Sequence, residues 1–199
     1  ADASQIKQVC IDMSGAFSEG VTGDRGEAEI TCDKLHVRKL IGDAVDKVRR
    51  DESKSRPELK RSRYLWLKNE RNLSAEQSAQ LGSLSQTNLK TARAYHLRLA
   101  FQDIYKERSR EWAAFFFDKW HSWARRCRLE PMKAVAATMA RHRDGILAWF
   151  DSQIANGLIE GINSLVQAAK AKARGYRSIR NLKAITYLIA GKLDLRPPT

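Results

Sequence analysis

At Val37 the chain changes its hydrophobic period, and that change limits it to a few architectures. Two short apolar runs precede it. Ile6-Lys-Gln-Val-Cys-Ile11 is ended by Asp12-Met13-Ser14-Gly15, and Ala28-Glu-Ile-Thr-Cys32 runs into Asp33-Lys34-Leu35-His36. Apolar runs of this length, stopped by polar residues, read as buried strands that deliver an acid at their C-terminal edge. Residues 14–22 between them fit a short helix or a turn. From Val37 onward apolar residues recur at steps of three and four, which is helical. Val37, Leu40, Ile41, Ala44, Val45 and Val48 make one such face over Val37–Arg50. A charged, Pro-containing break follows at Asp51–Pro57.

Further helices are expected over Glu58–Lys68, from the capping box in Asn72-Leu-Ser74-Ala-Glu-Gln77 to near Gly82, and over 87–107, 109–128 and 131–150. Pro131 is well placed in a first helical turn. The last helices are expected over 157–173 and 179–193, before Pro197-Pro198. The expectation is an α/β chain, mostly helical, in three parts: strand-rich 1–36, an all-helical insertion over 37–155, and C-terminal helices over 156–199.

Composition narrows this further. An apolar fraction of 43% with five Trp argues against disorder in a 199-residue chain. No run of 18 apolar residues offers a membrane span, and no secretory signal opens the sequence. Cys10, Cys32 and Cys127 are odd in number and lack metal-type spacing, which suits reduced thiols in a cytoplasmic setting. The net charge of +13 is uneven. Residues 1–36 hold 3 Lys/Arg against 7 Asp/Glu, residues 37–155 hold 25 against 14, and residues 156–199 hold 8 against 2. An acidic patch beside a basic remainder points to a metal-holding site within a polyanion-binding surface.

The segment Asn156-Gly-Leu-Ile-Glu160-Gly-Ile-Asn163-Ser164 joins these two themes. Asn156 is a good N-cap, and Leu158, Ile162, Leu165, Val166 and Ala169 form an apolar face. Glu160, Asn163, Gln167, Lys170 and Arg174 line a second stripe, so that a carboxylate, an amide and cations follow one another along the helix. Taken alone, that stripe is equally a solvated polar face. His36 reads equally as a residue that packs at a strand–helix junction. The runs Arg49-Arg50, Lys60-Arg61-Arg63 and Arg125-Arg126-Arg128 are individually ordinary faces and collectively candidate phosphate tracks. Most Trp residues read as core anchors, with Trp66, Trp120 or Trp123 as candidates to stack on an unpaired base.

Taken together, Ile11-Asp12-Met13-Ser14, Cys32-Asp33-Lys34-Leu35-His36-Val37, Arg63–Asn69, Thr91–Tyr95, Gly145–Phe150 and Asn156–Tyr176 resemble DDE transposases of bacterial insertion sequences, the ISL-three family. The resemblance spans nearly the whole chain. It implies part of a ribonuclease-H-like (retroviral-integrase-like) fold, in which three carboxylates hold two Mg²⁺ or Mn²⁺ ions for DNA strand cleavage and strand transfer. On that resemblance Asp12 and Glu160 are catalytic metal ligands. Asp33, His36 and Asn163 are auxiliary, and Lys170, Lys172, Arg174 and Arg177 bind DNA. The triad Asp12, Asp33 and Glu160 is an alternative. However, the implied fold places a hairpin, a strand and a helix between its first two acids, and the interval from Asp12 to Asp33 is too short for that passage. Asp12 is therefore expected to be the second acid, the first to lie before Ala1, and the chain alone to be inactive. DNA and a second copy of the protein on DNA are the expected partners, in a bacterial, nucleoid-associated setting. A non-catalytic basic helical nucleic-acid-binding module, or an inactive transposase remnant, is the alternative.

Overall fold

The computed structural model describes residues 8–11, 29–153, 157–176 and 178–190. The chain divides into two compact units, residues 1–154 and 155–199. In the first, β1 (Gln8–Ile11) and β2 (Glu29–Cys32) pair in parallel, with Gln8 opposite Glu29 and Ile11 opposite Cys32. Both strands therefore end at the same edge. Parallel neighbours need a crossover connection, and residues 12–28, which include the expected turn or helix, lie outside the described residues.

Asp33 ends β2 and caps α1 (Lys34–Glu52), its carboxylate accepting from the Leu35 amide at 3.4 Å. A short polar side chain in extended backbone is what a helix start favours, because it satisfies an otherwise orphaned N–H. Val37, Ile41, Ala44, Val45 and Val48 are buried along one face of α1, as their spacing predicts. Helix α1 is the central member: α2 (Arg63–Leu67), α4 (Lys90–Ile104) and α6 (Glu130–Arg141) pack on it. Between them, α3 (Ala75–Ser85) joins α2 to α4, and α5 (Arg110–Arg126) joins α4 to α6. The Ser74–Gln77 capping box forms as expected, with reciprocal bonds of 3.2 Å. Trp66, Phe101, Phe117 and Trp120 fill the interior; Phe101 meets Trp120 edge-on at 4.7 Å between centroids.

Two expected helices are broken. Over Glu58–Lys68 only a 3₁₀ turn (Pro57–Leu59) and the single turn of α2 form, because Arg61 takes a left-handed φ of 61° and the Ser62 hydroxyl donates to the Leu59 carbonyl at 2.7 Å. Over 131–150 the helix stops at His142 and resumes as α7 (Arg143–Leu147) and α8 (Trp149–Ser152). Both α7 and α8 pack on β2. A Cβ on Gly145 would lie 2.8 Å from the Cys32 sulfur and 3.3 Å from the Ile30 carbonyl oxygen, so only glycine lets α7 approach this closely.

In the second unit, α9 (Gly157–Lys172) packs with α10 (Ile179–Ala190). Helix α9 closes through Arg174 (φ 53°) and Gly175 (φ 97°), whose amide donates to the Lys170 carbonyl at 2.9 Å. Among the described residues no helix is long and apolar enough to cross a membrane.

Candidate functional site: a basic cleft beside the strand ends

The edge at which β1 and β2 end carries a buried acid paired with a histidine. Asp33 is fully buried there, and both of its carboxylate oxygens are engaged. One accepts from the Leu35 amide, and the other meets His36 Nδ1 at 2.7 Å. The His36 side chain is 38% exposed against 0% for Asp33. A carboxylate on Nδ1 fixes the ring and favours the tautomer that leaves Nε2 as an acceptor. The pair can thus orient a ligand or accept a proton, while Asp33 itself is occupied with capping the helix and holding the ring.

Next to this pair, the Lys34 ammonium lies 4.0 Å from the Trp149 ring centroid and 4.6 Å from that of Tyr105. Burial, and then the neighbouring Arg38 charge, hold the Lys34 ammonium below its usual range. Burial, with the Cys32 thiol and Asp33 carboxylate nearby, pushes the Tyr105 hydroxyl far above its usual range, and among the described residues that hydroxyl has no hydrogen-bond partner. Cys32, also buried and facing the Cys10 thiol, is pushed up from 9.0 to about 11, which makes it an inert packing residue. At the outer side of β2, Arg110 bridges Glu29 at 3.2 Å and Asp151 at 2.5 Å.

Lys34 also opens a cleft of about 610 Å³, lined by Lys34 and Arg38 from α1, Tyr95, Arg98 and Gln102 from α4, and Lys68, Asn69 and Arg71 from the segment after α2. Arg98 is 5% exposed and donates to the Trp66 and Leu67 carbonyls at 3.0 and 2.8 Å. Desolvation lowers its pKa. Sequence reasoning missed this cleft. Its cations come from three separate elements, and no local spacing joins them.

Other expected tracks differ in what they offer. Arg49 is buried, pairing with Asp46 at 2.8 Å and donating to the Leu59 carbonyl at 3.2 Å, and Arg50 and Arg63 lean on the same Asp46. Arg125, Arg126 and Arg128 are exposed, as are Lys60 and Arg61. Trp66 and Trp120 are buried, with their indole N–H groups donating to Ser62 Oγ and the Leu97 carbonyl, so neither ring can receive a base. Trp123 is half exposed, on a face of α5 with Trp112, Phe115 and Phe116, another feature that sequence reasoning overlooked.

In the second unit Lys170, Lys172 and Arg174 are exposed. Glu160 lies in the first turn of α9 and Asn163 one turn later, though neither side chain is among those described. Asp12 and Arg177 lie outside the described residues altogether. Among the described residues, no three His, Cys, Asp or Glu side chains come together as a metal site.

Residues 1–186 match the family profile described as a transposase, that of the ISL-three group of DDE transposases, and the chain belongs to this family. It is 30% identical, over 88% of its length, to the transposase for insertion sequence element IS1001 of Bordetella parapertussis, covering 45% of that protein. It is 29% identical, over 98% of its length, to the transposase for insertion sequence element IS1557 of Mycobacterium tuberculosis, covering 50% of it. The chain thus spans about half the length of these curated relatives. No solved structure matches it.

Proposed function

We propose that the chain is part of the catalytic domain of a DNA transposase with a ribonuclease-H-like core, acting by divalent-metal-dependent strand cleavage followed by strand transfer. The observation that carries this reading is the family match across residues 1–186, which takes in both the strand ends and the Glu160 helix. Asp12 and Glu160 are the metal ligands in this reading. Paired carboxylates are the donor set that hard Mg²⁺ or Mn²⁺ takes, and the bound ions supply the Lewis acidity for phosphodiester chemistry. Asp12 follows Ile11, whose strand ends level with Cys32, and that register supports a site at the edge where Asp33 and His36 lie. With both its oxygens engaged, Asp33 suits a positioning role better than ligation. Lys170, Lys172, Arg174 and Arg177 hold the DNA backbone. At 1.5 Å per residue Lys170 sits about 15 Å along the helix from Glu160, a reach of roughly four nucleotides of one strand. Asn163 orients a phosphate one turn from the acid.

The first acid of the set lies outside these 199 residues on this reading, so the chain alone is inactive. In the intact transposase, Glu160→Gln keeps size and hydrogen bonding but removes the ligand charge. Cleavage at element ends is expected to disappear while thermal stability and DNA binding persist. Asp12→Asn is expected to behave alike, and Asp33→Asn to retain part of the activity. Undiminished cleavage by Glu160→Gln would overturn the reading, and metal-dependent cleavage by the 199-residue chain would transfer the assignment to Asp12, Asp33 and Glu160.

A further inference from the structure

Among the described residues, the cleft beside the strand ends holds more positive than negative charge. Six cations line it (Lys34, Arg38, Lys68, Arg71, Arg98 and Lys106) against one carboxylate, Asp103, which pairs with Lys106 at 2.6 Å. Among the described residues no carboxylate pairs with the other five; Arg38 donates to the Asn69 amide oxygen at 3.4 Å, and Arg98 meets main-chain carbonyls and, at 6.0 Å, the Tyr95 ring. Cations this close repel one another and are poorly solvated where partly buried, so an arriving anion gains from each of them. The lining also says which part of a polyanion is held. Tyr95 and Tyr105 are buried, and Tyr95 sits edge-on to Trp66, so neither ring offers an open face to a base. Planar guanidinium forks and a mobile ammonium suit phosphate oxygens. The volume lies within the range of single-ligand pockets, too small to engulf a duplex and sufficient for a short length of one backbone.

We propose that the Lys34–Arg38–Lys68–Arg71–Arg98 cleft binds consecutive phosphates of one DNA strand, independently of base sequence, and leads that strand to the edge where β1 and β2 end. This rests on the transposase reading above and adds to it a second backbone track, in the helical region of the first unit, besides the cations Lys170, Lys172, Arg174 and Arg177.

The test uses the 199-residue chain and fluorescence anisotropy with labelled single-stranded and duplex oligonucleotides of two unrelated sequences, over a NaCl series. The triple variant Arg38→Ala, Lys68→Ala, Arg71→Ala removes cations that are at least partly exposed, and circular dichroism checks its fold. Each lost phosphate contact lowers the slope of log K against log salt by about 0.9 on duplex and about 0.7 on single strands. The expected result is a slope smaller by about two to three, with equal affinity loss for both sequences. A charge-matched control, Lys47→Ala, Arg93→Ala, Arg141→Ala, alters exposed cations outside the cleft and is expected to change the slope by less than one. An unchanged slope in the cleft variant, an equal loss in the control, or a loss confined to one sequence would each overturn the proposal. So would displacement of a free nucleoside triphosphate by inorganic pyrophosphate without any effect on DNA binding, which would make the cleft a small-anion site. Cleavage assays on Glu160→Gln are independent of all these outcomes, so failure here leaves the metal-site assignment standing, and the converse also holds.

Discussion

Gly145 sits where the absence of a side chain decides how α7 meets β2. Two effects compete when alanine replaces it. A helical position gains roughly 1 kcal/mol from the change. Against that, the new methyl carbon would lie 2.8 Å from the Cys32 sulfur and 3.3 Å from a backbone oxygen that cannot turn aside. Overpacking of this kind typically destabilises by about 1–3 kcal/mol. The clash is expected to win, so Gly145→Ala should lower the unfolding free energy by up to about 2 kcal/mol in urea titrations. Placing the same change in a Cys32→Ala background should recover part of the loss, because the sulfur goes while the Ile30 carbonyl stays. A Gly145→Ala protein more stable than wild type would show that the helix can stand off the strand without penalty. Local sequence could not announce this role. Gly145 lies within a helix-compatible run, and its partner is more than a hundred positions earlier.

Helix starts show the same division between what is local and what is not. Ser74 and Gln77 form a capping box that is written within four consecutive residues, and Asp33 and Ser109 likewise cap their own helices. Helix α4 has no such residue. Its cap position is Leu89, and the first amides are taken instead by Glu52 from the end of α1, which accepts from Lys90 N at 2.8 Å and Thr91 N at 2.7 Å, with the Thr91 hydroxyl adding a third bond at 2.8 Å. That carboxylate also faces the positive end of the helix. Glu52→Ala is expected to destabilise by about 1–2 kcal/mol, the magnitude of a lost N-cap. Glu52→Gln should fall between it and wild type, because the amide can accept fewer of these bonds and carries no charge. Denaturant unfolding monitored by far-ultraviolet circular dichroism checks the order, and equal stability of all three proteins would mean that water serves these amides as well. The breaks at Arg61 and His142 differ from this cap in being local: Arg61 takes a left-handed φ beside the Ser62–Leu59 bond, and the His142 amide turns back on Thr138 and Met139, whereas periodicity alone carries the helical pattern straight through.

Legibility at the scale of the molecule follows distance along the chain. The change from strand to helix was readable to within three residues, expected at Val37 and found at Lys34, and so was the buried face of α1, because each is set by neighbours a few residues apart. The basic cleft was not, since Lys34 and Arg98 meet only after α1 and α4 have packed. The two units differ in the same respect. The first holds a core of Trp66, Phe101, Phe117, Trp120, Met132 and Ile146, joined through α1. The second holds helices of 16 and 12 residues, and Leu165, Ile179 and Tyr187 on them are 58%, 74% and 72% exposed. Isolated helices of that length are marginal in water unless packing sustains them, and these described apolar side chains stay largely in solvent. A fragment of residues 1–154 is therefore expected to melt cooperatively, with a midpoint within about 5 °C of the 199-residue chain, a shift that corresponds to roughly 1–2 kcal/mol for a domain of this size. A fragment of residues 155–199 should show weak helicity at 25 °C and no cooperative transition. Differential scanning calorimetry and circular dichroism of the two fragments decide the matter. Loss of the cooperative transition from 1–154 would show that the C-terminal helices hold the first unit together, and Glu160 would then sit on an element whose removal unfolds the site it serves.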